Sequence, residues 1–199
     1  MDVDAAMVRA CQRGEPGALD ALIRATYAQV YRLCQRMLAD PEEAADATQE
    51  VFIRVTRSVL GFRGESAFGT WLHRVTVNVC LTALHRRTRA RSTGVVAGRQ
   101  PFAVPGDLTA ERLAAQNPNP ADQAIRAELA RRAERAVATL PEDARTVVVL
   151  RDLEGLSTKE VADLLGVSES VVKVRLCRAH ARLRRDLADG PPGRLAGDA

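Results

Sequence analysis

Three histidines (His73, His85, His180) and four cysteines (Cys11, Cys34, Cys80, Cys177) are the side chains best suited to holding a metal or attacking a substrate. Their spacing serves neither task. No CxxC or His/Cys cluster sets ligands at the intervals of a zinc site, and no histidine stands beside a placed nucleophile. The cysteines are scattered, as reduced thiols in helix interiors would be, and form no sensor pair. With no catalytic residue, metal site or cofactor motif, the chemistry within reach is that of binding. Cations meet phosphates, rings meet bases, and carboxylates meet a basic partner.

The stretch "STKEVADLLGVSESVVKVRLCRA" at 157–179 contains two short apolar-periodic runs separated by one glycine. Ser157 is placed as an N-cap with Glu160 completing a capping box. Val161, Ala162, Leu164 and Leu165 form the apolar side of a helix that Gly166 ends in the left-handed conformation. Ser168 caps a second helix with Val172, Leu176, Ala179 and Leu183 inward. The pair is a helix-turn-helix candidate. Opposite its core lie Ser170, Lys173, Val174, Cys177 and Arg178. From 168 to 185 six lysines and arginines face Glu169 alone. A solvated α-hairpin would carry such charge too. The small residues among the cations tip the reading to a helix for the DNA major groove, where short side chains approach base edges. Val174 either meets a base there or packs on its neighbours.

Two further faces stand out. "DPEEAADATQEVFIRVTRSVL" (40–60) opens with Asp40 as N-cap, Pro41 at the first helical position and Glu43 to complete the box. Its core stripe is Ala44, Ala47, Val51, Val55 and Val59, opposite Asp46, Gln49, Glu50, Ile53 and Arg57. Ile53 among acids is either a lone exposed apolar side chain or the centre of a protein-binding patch. In "FRGESAFGTWLHRVTVNVCLTALHRRTRAR" (62–91) a loop leads into a helix with Leu72, Val75, Val79 and Ala83 inward. A second stripe bears Trp71, Arg74, Asn78, Thr82 and His85. Rings, amides and guanidiniums in that order suit unstacked bases. The alternative is that Phe62, Phe68 and Trp71 are core, which holds for at least one of them.

These faces need elements to carry them. A hydrophobic content of 46% with only 4% aromatics fits helices of Ala, Leu and Val. Helical periodicity runs through 3–12, 17–38, 41–60, 70–90, 122–138, 142–153, 157–165 and 168–187, with strand alternation essentially absent. "TVVVL" at 146–150 reads as buried helix. Gly, Pro, Asn and Ser concentrate at 92–121, a linker with room for one helical turn near 109–115. The expected fold is all-α, two small helical domains on a flexible tether: 1–91, linker 92–121, 122–187, and a disordered tail at 188–199. Residues 40–50 hold five acids and no base, and residues 85–99 hold five arginines and no acid. Opposite charges imply two different partners. No stretch resembles a signal peptide or a membrane span, so a cytoplasmic protein without membrane insertion is expected.

"DPEEAADATQEVFIRV", "FRGESAFGTWLHRVTVNVCLTALHRR" and "LPEDARTVVVLRDLEGLSTKEVADLLGVSESVVKVRLCRAHARLR" together resemble, in order and spacing, a bacterial sigma-70-family factor of the extracytoplasmic-function group. The likeness covers roughly 15–91 and 122–187. It implies a region 2 bundle and a region 4 helix-turn-helix that bind RNA polymerase core, recognise −10 and −35 promoter elements and help melt DNA for initiation. The acidic helix then docks on the β′ clamp coiled coil through Asp46, Gln49, Glu50 and Ile53, which settles the Ile53 alternative for an interface. Region 4 sits on the β flap. The melted −10 strand falls to Arg63, Phe68, Trp71, Arg74, Asn78, Arg86 and Arg87. The −35 duplex falls to Ser168, Ser170, Lys173, Val174, Arg175, Cys177 and Arg178. An anti-sigma factor is open as a further partner. Thr82 stands where many members have an acid, and Ser170, Val171 and Val174 replace a common Gly-Thr-x-Ser pattern.

Two rivals fit less well. A free-standing repressor has little use for an acidic partner face and usually dimerises for paired half-sites. A recombinase would need a nucleophile or a carboxylate metal site that is not in evidence.

Overall fold

A computed structural model describes residues 3–64, 66–91 and 120–188. These residues are helical, with no strand among them, and the chain divides between Thr109 and Ala110 into two compact units. The first unit holds α1 (Ala5–Gln12), α2 (Ala18–Leu38), α3 (Pro41–Ser58) and α4 (Phe68–Arg91), with a 3-10 turn at Val59–Gly61 after α3. The second holds α5 (Pro120–Ala138), α6 (Glu142–Val148), α7 (Thr158–Leu165) and α8 (Glu169–Ala188), with a π turn at Val149–Leu153 after α6. The expected linker lies outside the described residues except at 120–121, where α5 has begun. The expected tail does too, except that Ala188 closes α8.

The first unit starts its helices with side-chain caps. Asp4 accepts from the Ala6 N–H at 2.8 Å, and Asp40 accepts from Glu42 and Glu43 at 2.9 and 3.0 Å. Glu43 does not turn back to close a capping box; its carboxylate meets Arg87 on α4 at 3.4 Å. Helices α2, α3 and α4 pack on one another through Leu22, Val30, Met37, Leu38, Val51, Val55, Leu72 and Val77, all buried. Each such side chain contributes about 1.5–3 kcal/mol of hydrophobic stabilisation. Thr26, Thr48 and Thr76 are also buried, and each hydroxyl donates to the carbonyl one turn back at 2.7–2.8 Å. These polar groups therefore need no partner from another helix.

Helix α4 is buried more widely than its periodicity implied. Val75 and Ala83 are half-buried, while Thr76, Val77, Cys80, Leu81 and Leu84 are buried. The cause is its central place, against both α2 and α3. Packing there also joins two cysteines that the sequence separates. The buried thiols of Cys34 and Cys80 interact, which holds Cys34 below and, with burial, Cys80 above the ordinary thiol value.

In the second unit "TVVVL" is buried throughout, and it winds from α6 into the π turn. The Glu154 N–H reaches the Val149 carbonyl at 2.9 Å, and the Leu156 N–H reaches the Leu150 carbonyl at 3.0 Å. Buried Arg145 donates from Nη1 to the Leu140 and Ala138 carbonyls at 3.1 and 3.3 Å. The capping box on α7 is complete: Glu160 Oε2 accepts from the Ser157 N–H at 2.7 Å, and Ser157 Oγ accepts from the Glu160 N–H at 3.2 Å. Gly166, at φ 64°, turns the chain towards α8. That left-handed geometry favours a residue without Cβ.

Candidate protein- and nucleic-acid-binding surfaces

The outer face of α3 presents Asp46 and Gln49 to solvent beside Ile53, which is 45% exposed. Glu50 lies on the same side, half-exposed and held by Arg54 at 2.8 Å across one helical turn. The Asp40 cap and the five-residue core stripe fix this rotation, because Ala44, Ala47, Val51, Val55 and Val59 are all buried. An apolar centre with an acidic rim is suited to a partner that is apolar and basic.

The neighbouring surface begins at the start of α4. Phe62, Phe68 and Trp71 form a three-ring cluster, with centroids 5.3 Å apart for Phe62–Phe68, 5.6 Å for Phe62–Trp71 and 5.2 Å for Phe68–Trp71. Phe68 is only 6% exposed, so it cannot stack on a base; the other two rings cover it. It supports the site from beneath. Phe62 and Trp71 are half-buried and offer the accessible ring surface. Asn78 and Thr82 continue the stripe, half-buried, with the Thr82 hydroxyl donating to the Asn78 carbonyl at 2.8 Å. His85, Arg86 and Arg63 are exposed.

Two arginines of the stripe are held differently from what their spacing suggested. Arg87 Nη1 lies 3.4 Å from both Glu43 and the Leu38 carbonyl, which ties α4 to α2 and α3. Nε and Nη2 of Arg74 are shielded from solvent and meet no hydrogen-bond acceptor among the described residues. Unsatisfied buried donors are costly.

On α8 the outer face is exposed along Ser170, Lys173, Val174, Cys177 and Arg178, with Val174 at 48%. Ser168 Oγ accepts from the Val171 N–H at 3.4 Å and lies 2.8 Å from Ser170 Oγ. Val172 and Ala179 are buried beneath. Arg175 sits at the edge of this face with its Nε 3.3 Å from Asp143 of α6. His180 Nε2 likewise meets Asp152 Oδ2 of the π turn at 2.7 Å. These two pairs link α8 to α6 and to the π turn, contacts its spacing did not reveal. Among the described residues no cluster of three or more His, Cys, Asp or Glu could hold a metal ion. Among these residues no helix is long and apolar enough to cross a membrane.

Sequence reasoning passed over one surface group. Tyr27 of α2 is 48% exposed, and its ring stacks on Tyr31 at 6.2 Å and on Phe52 of α3 at 6.0 Å. The i, i+4 spacing of the tyrosines was the available signal.

Comparison with known proteins supports both units. A family model for sigma-70 region 2 matches residues 22–90, and one for sigma-70 region 4 matches 130–183. The chain is 38% identical to the ECF RNA polymerase sigma factor SigE of Mycolicibacterium smegmatis over 85% of its own length and 61% of that protein. It is 34% identical to the ECF RNA polymerase sigma factor SigM of Mycobacterium tuberculosis, covering 92% of this chain and 83% of that one. The structure of CnrH in complex with the cytosolic domain of CnrY superposes with a TM-score of 0.50 at 23% identity, over 94% of this chain and 99% of that chain. At that identity the likeness concerns the fold.

Proposed function

The chain belongs to the extracytoplasmic-function group of the sigma-70 family and directs RNA polymerase to promoters for transcription initiation, and we propose that its two units divide that task by face. The outer face of α3, through Asp46, Gln49, Glu50 and Ile53, docks on the β′ clamp coiled coil of core polymerase. The stripe of α4 takes the melted −10 strand: Trp71 stacks on a base, Asn78 bonds a base edge, and Arg63, Arg74 and Arg86 take phosphates. Arg87 and Phe68 hold that surface in shape. The outer face of α8 reads the −35 duplex through Ser168, Ser170, Lys173, Val174, Cys177 and Arg178, with Arg175 at its rim. Residues 1–91 and 122–187 are the working domains, 92–121 connects them, and the second unit rests on the β flap. The bond chemistry belongs to the polymerase, in the cytoplasm, and this chain supplies no catalytic group.

One observation carries this reading. Two adjacent helices of one bundle expose unlike faces, an acidic one centred on Ile53 and an aromatic, amide and arginine one starting at Trp71. A duplex-only DNA binder has use for neither. Run-off transcription tests it: core polymerase with this chain should yield one discrete transcript from a promoter fragment selected by the holoenzyme. Core alone should give none. A chain that binds the fragment without core and leaves transcription unchanged, or represses it, would instead be a regulator.

A further inference from the structure

Helix α1 precedes the residues matched to sigma-70 region 2, which begin at 22, and it carries none of the residues assigned above to polymerase or DNA. It is nevertheless firmly seated. Val8 and Cys11 are buried, and α1 packs on α2 and on the 3-10 turn that follows α3. Its last residue, Gln12, reaches across 50 positions of sequence. The Nε2 amide donates to the Phe62 carbonyl at 2.7 Å and, at the limit of hydrogen bonding, to the Val59 carbonyl at 3.5 Å. The Val59 carbonyl already accepts from the Phe62 N–H at 3.2 Å, so both ends of this turn converge on one amide.

That turn sets the aromatic cluster. Phe62 is the residue after the turn, and its ring packs edge-on against Phe68 and tilted against Trp71. The ring position follows from the backbone at 62, and the accessible face of Trp71 follows from where the Phe62 ring lies. We infer that Gln12 is a positioning residue for promoter melting: it pins the turn into α4 so that Phe62 holds Trp71 with its free face ready for an unstacked base. Gln12 itself touches no DNA. This rests on the proposal that α4 takes the melted strand. A side-chain amide suits the task because both acceptors are carbonyls, which only a donor can bridge.

Trp71 is the sole tryptophan of the chain, so its fluorescence reports this cluster directly. The test compares wild type, Gln12→Leu, Gln12→Lys and Asn78→Ala as full chains and in holoenzyme. In Gln12→Leu, acrylamide quenching of Trp71 should rise and promoter opening should slow by about three- to tenfold, the scale of one lost hydrogen bond. Core affinity should stay within about twofold. Gln12→Lys keeps a donor of similar reach and should restore most of the opening rate. Gln12→Asn, a methylene shorter, gives the same test if the leucine variant does not fold. Unchanged quenching and opening in Gln12→Leu would overturn the inference. So would core affinity falling in step with opening, since that marks a loss of the whole fold. If Asn78→Ala slows opening while Gln12→Leu does not, only the brace falls. If neither does, the reading of α4 falls with it.

Discussion

Asn78 offers an amide that can bond two edge atoms of a base, and Trp71 two turns earlier offers a ring. Losing such a contact costs about 1–3 kcal/mol, or roughly tenfold to a hundredfold. Asn78→Ala should therefore slow open-complex formation by that factor while leaving −35 duplex affinity unchanged, as permanganate footprints and a duplex titration would show. Unaltered footprints would remove Asn78 from the strand-binding set. On α8 the labour divides between charge and shape. Arg178→Ala should weaken binding to all sequences and flatten the salt dependence, since each phosphate contact releases counterions. Val174→Ser should change the preferred −35 bases with little effect on salt slope, because a methyl-bearing side chain favours thymine and a hydroxyl does not. Selection from randomised −35 sequences decides this; identical preferences would mean Val174 only packs on its neighbours. Exposed positions such as Ile53 and Val174 were legible from helical phase alone. Phe68 and Arg175 were not, because burial by two neighbouring rings and pairing with Asp143 depend on tertiary partners that phase does not encode.

Helix ends are the most legible feature at the scale of elements, because caps are local chemistry. The box at Ser157 and Glu160 is written in four residues and forms as written. Ser157→Ala should cost about 1 kcal/mol, which lowers the melting temperature of a unit this size by about 4–8 °C. Calorimetry of the full chain should show that drop in the transition of the second unit and not in that of the first. Equal shifts in both, or none, would mean the box adds nothing to α7. What sequence could not show is how many neighbours a helix has. The wider burial of α4 and the meeting of Cys34 with Cys80 both arise because α2 and α3 flank it. The π turn at Val149–Leu153 was likewise hidden, since a run of β-branched residues keeps its apolar character in either winding.

At the scale of the whole molecule, the family resemblance was legible because three separate motifs occur in order, and the two-unit division followed from the Gly- and Pro-rich stretch between them. The division of work among faces is the claim with most at stake. Reversing the Asp46 charge sets like charges against a basic partner, which costs about 2 kcal/mol or more, or about thirtyfold in affinity. The most direct measurement is equilibrium affinity for core polymerase, taken in parallel for wild type, Asp46→Lys and Arg178→Ala, with melting curves alongside. Asp46→Lys should lose about thirtyfold in core affinity at native-like melting temperature, while Arg178→Ala keeps wild-type affinity. Equal core affinity for Asp46→Lys and wild type would contradict the assignment of the acidic face of α3 to the polymerase.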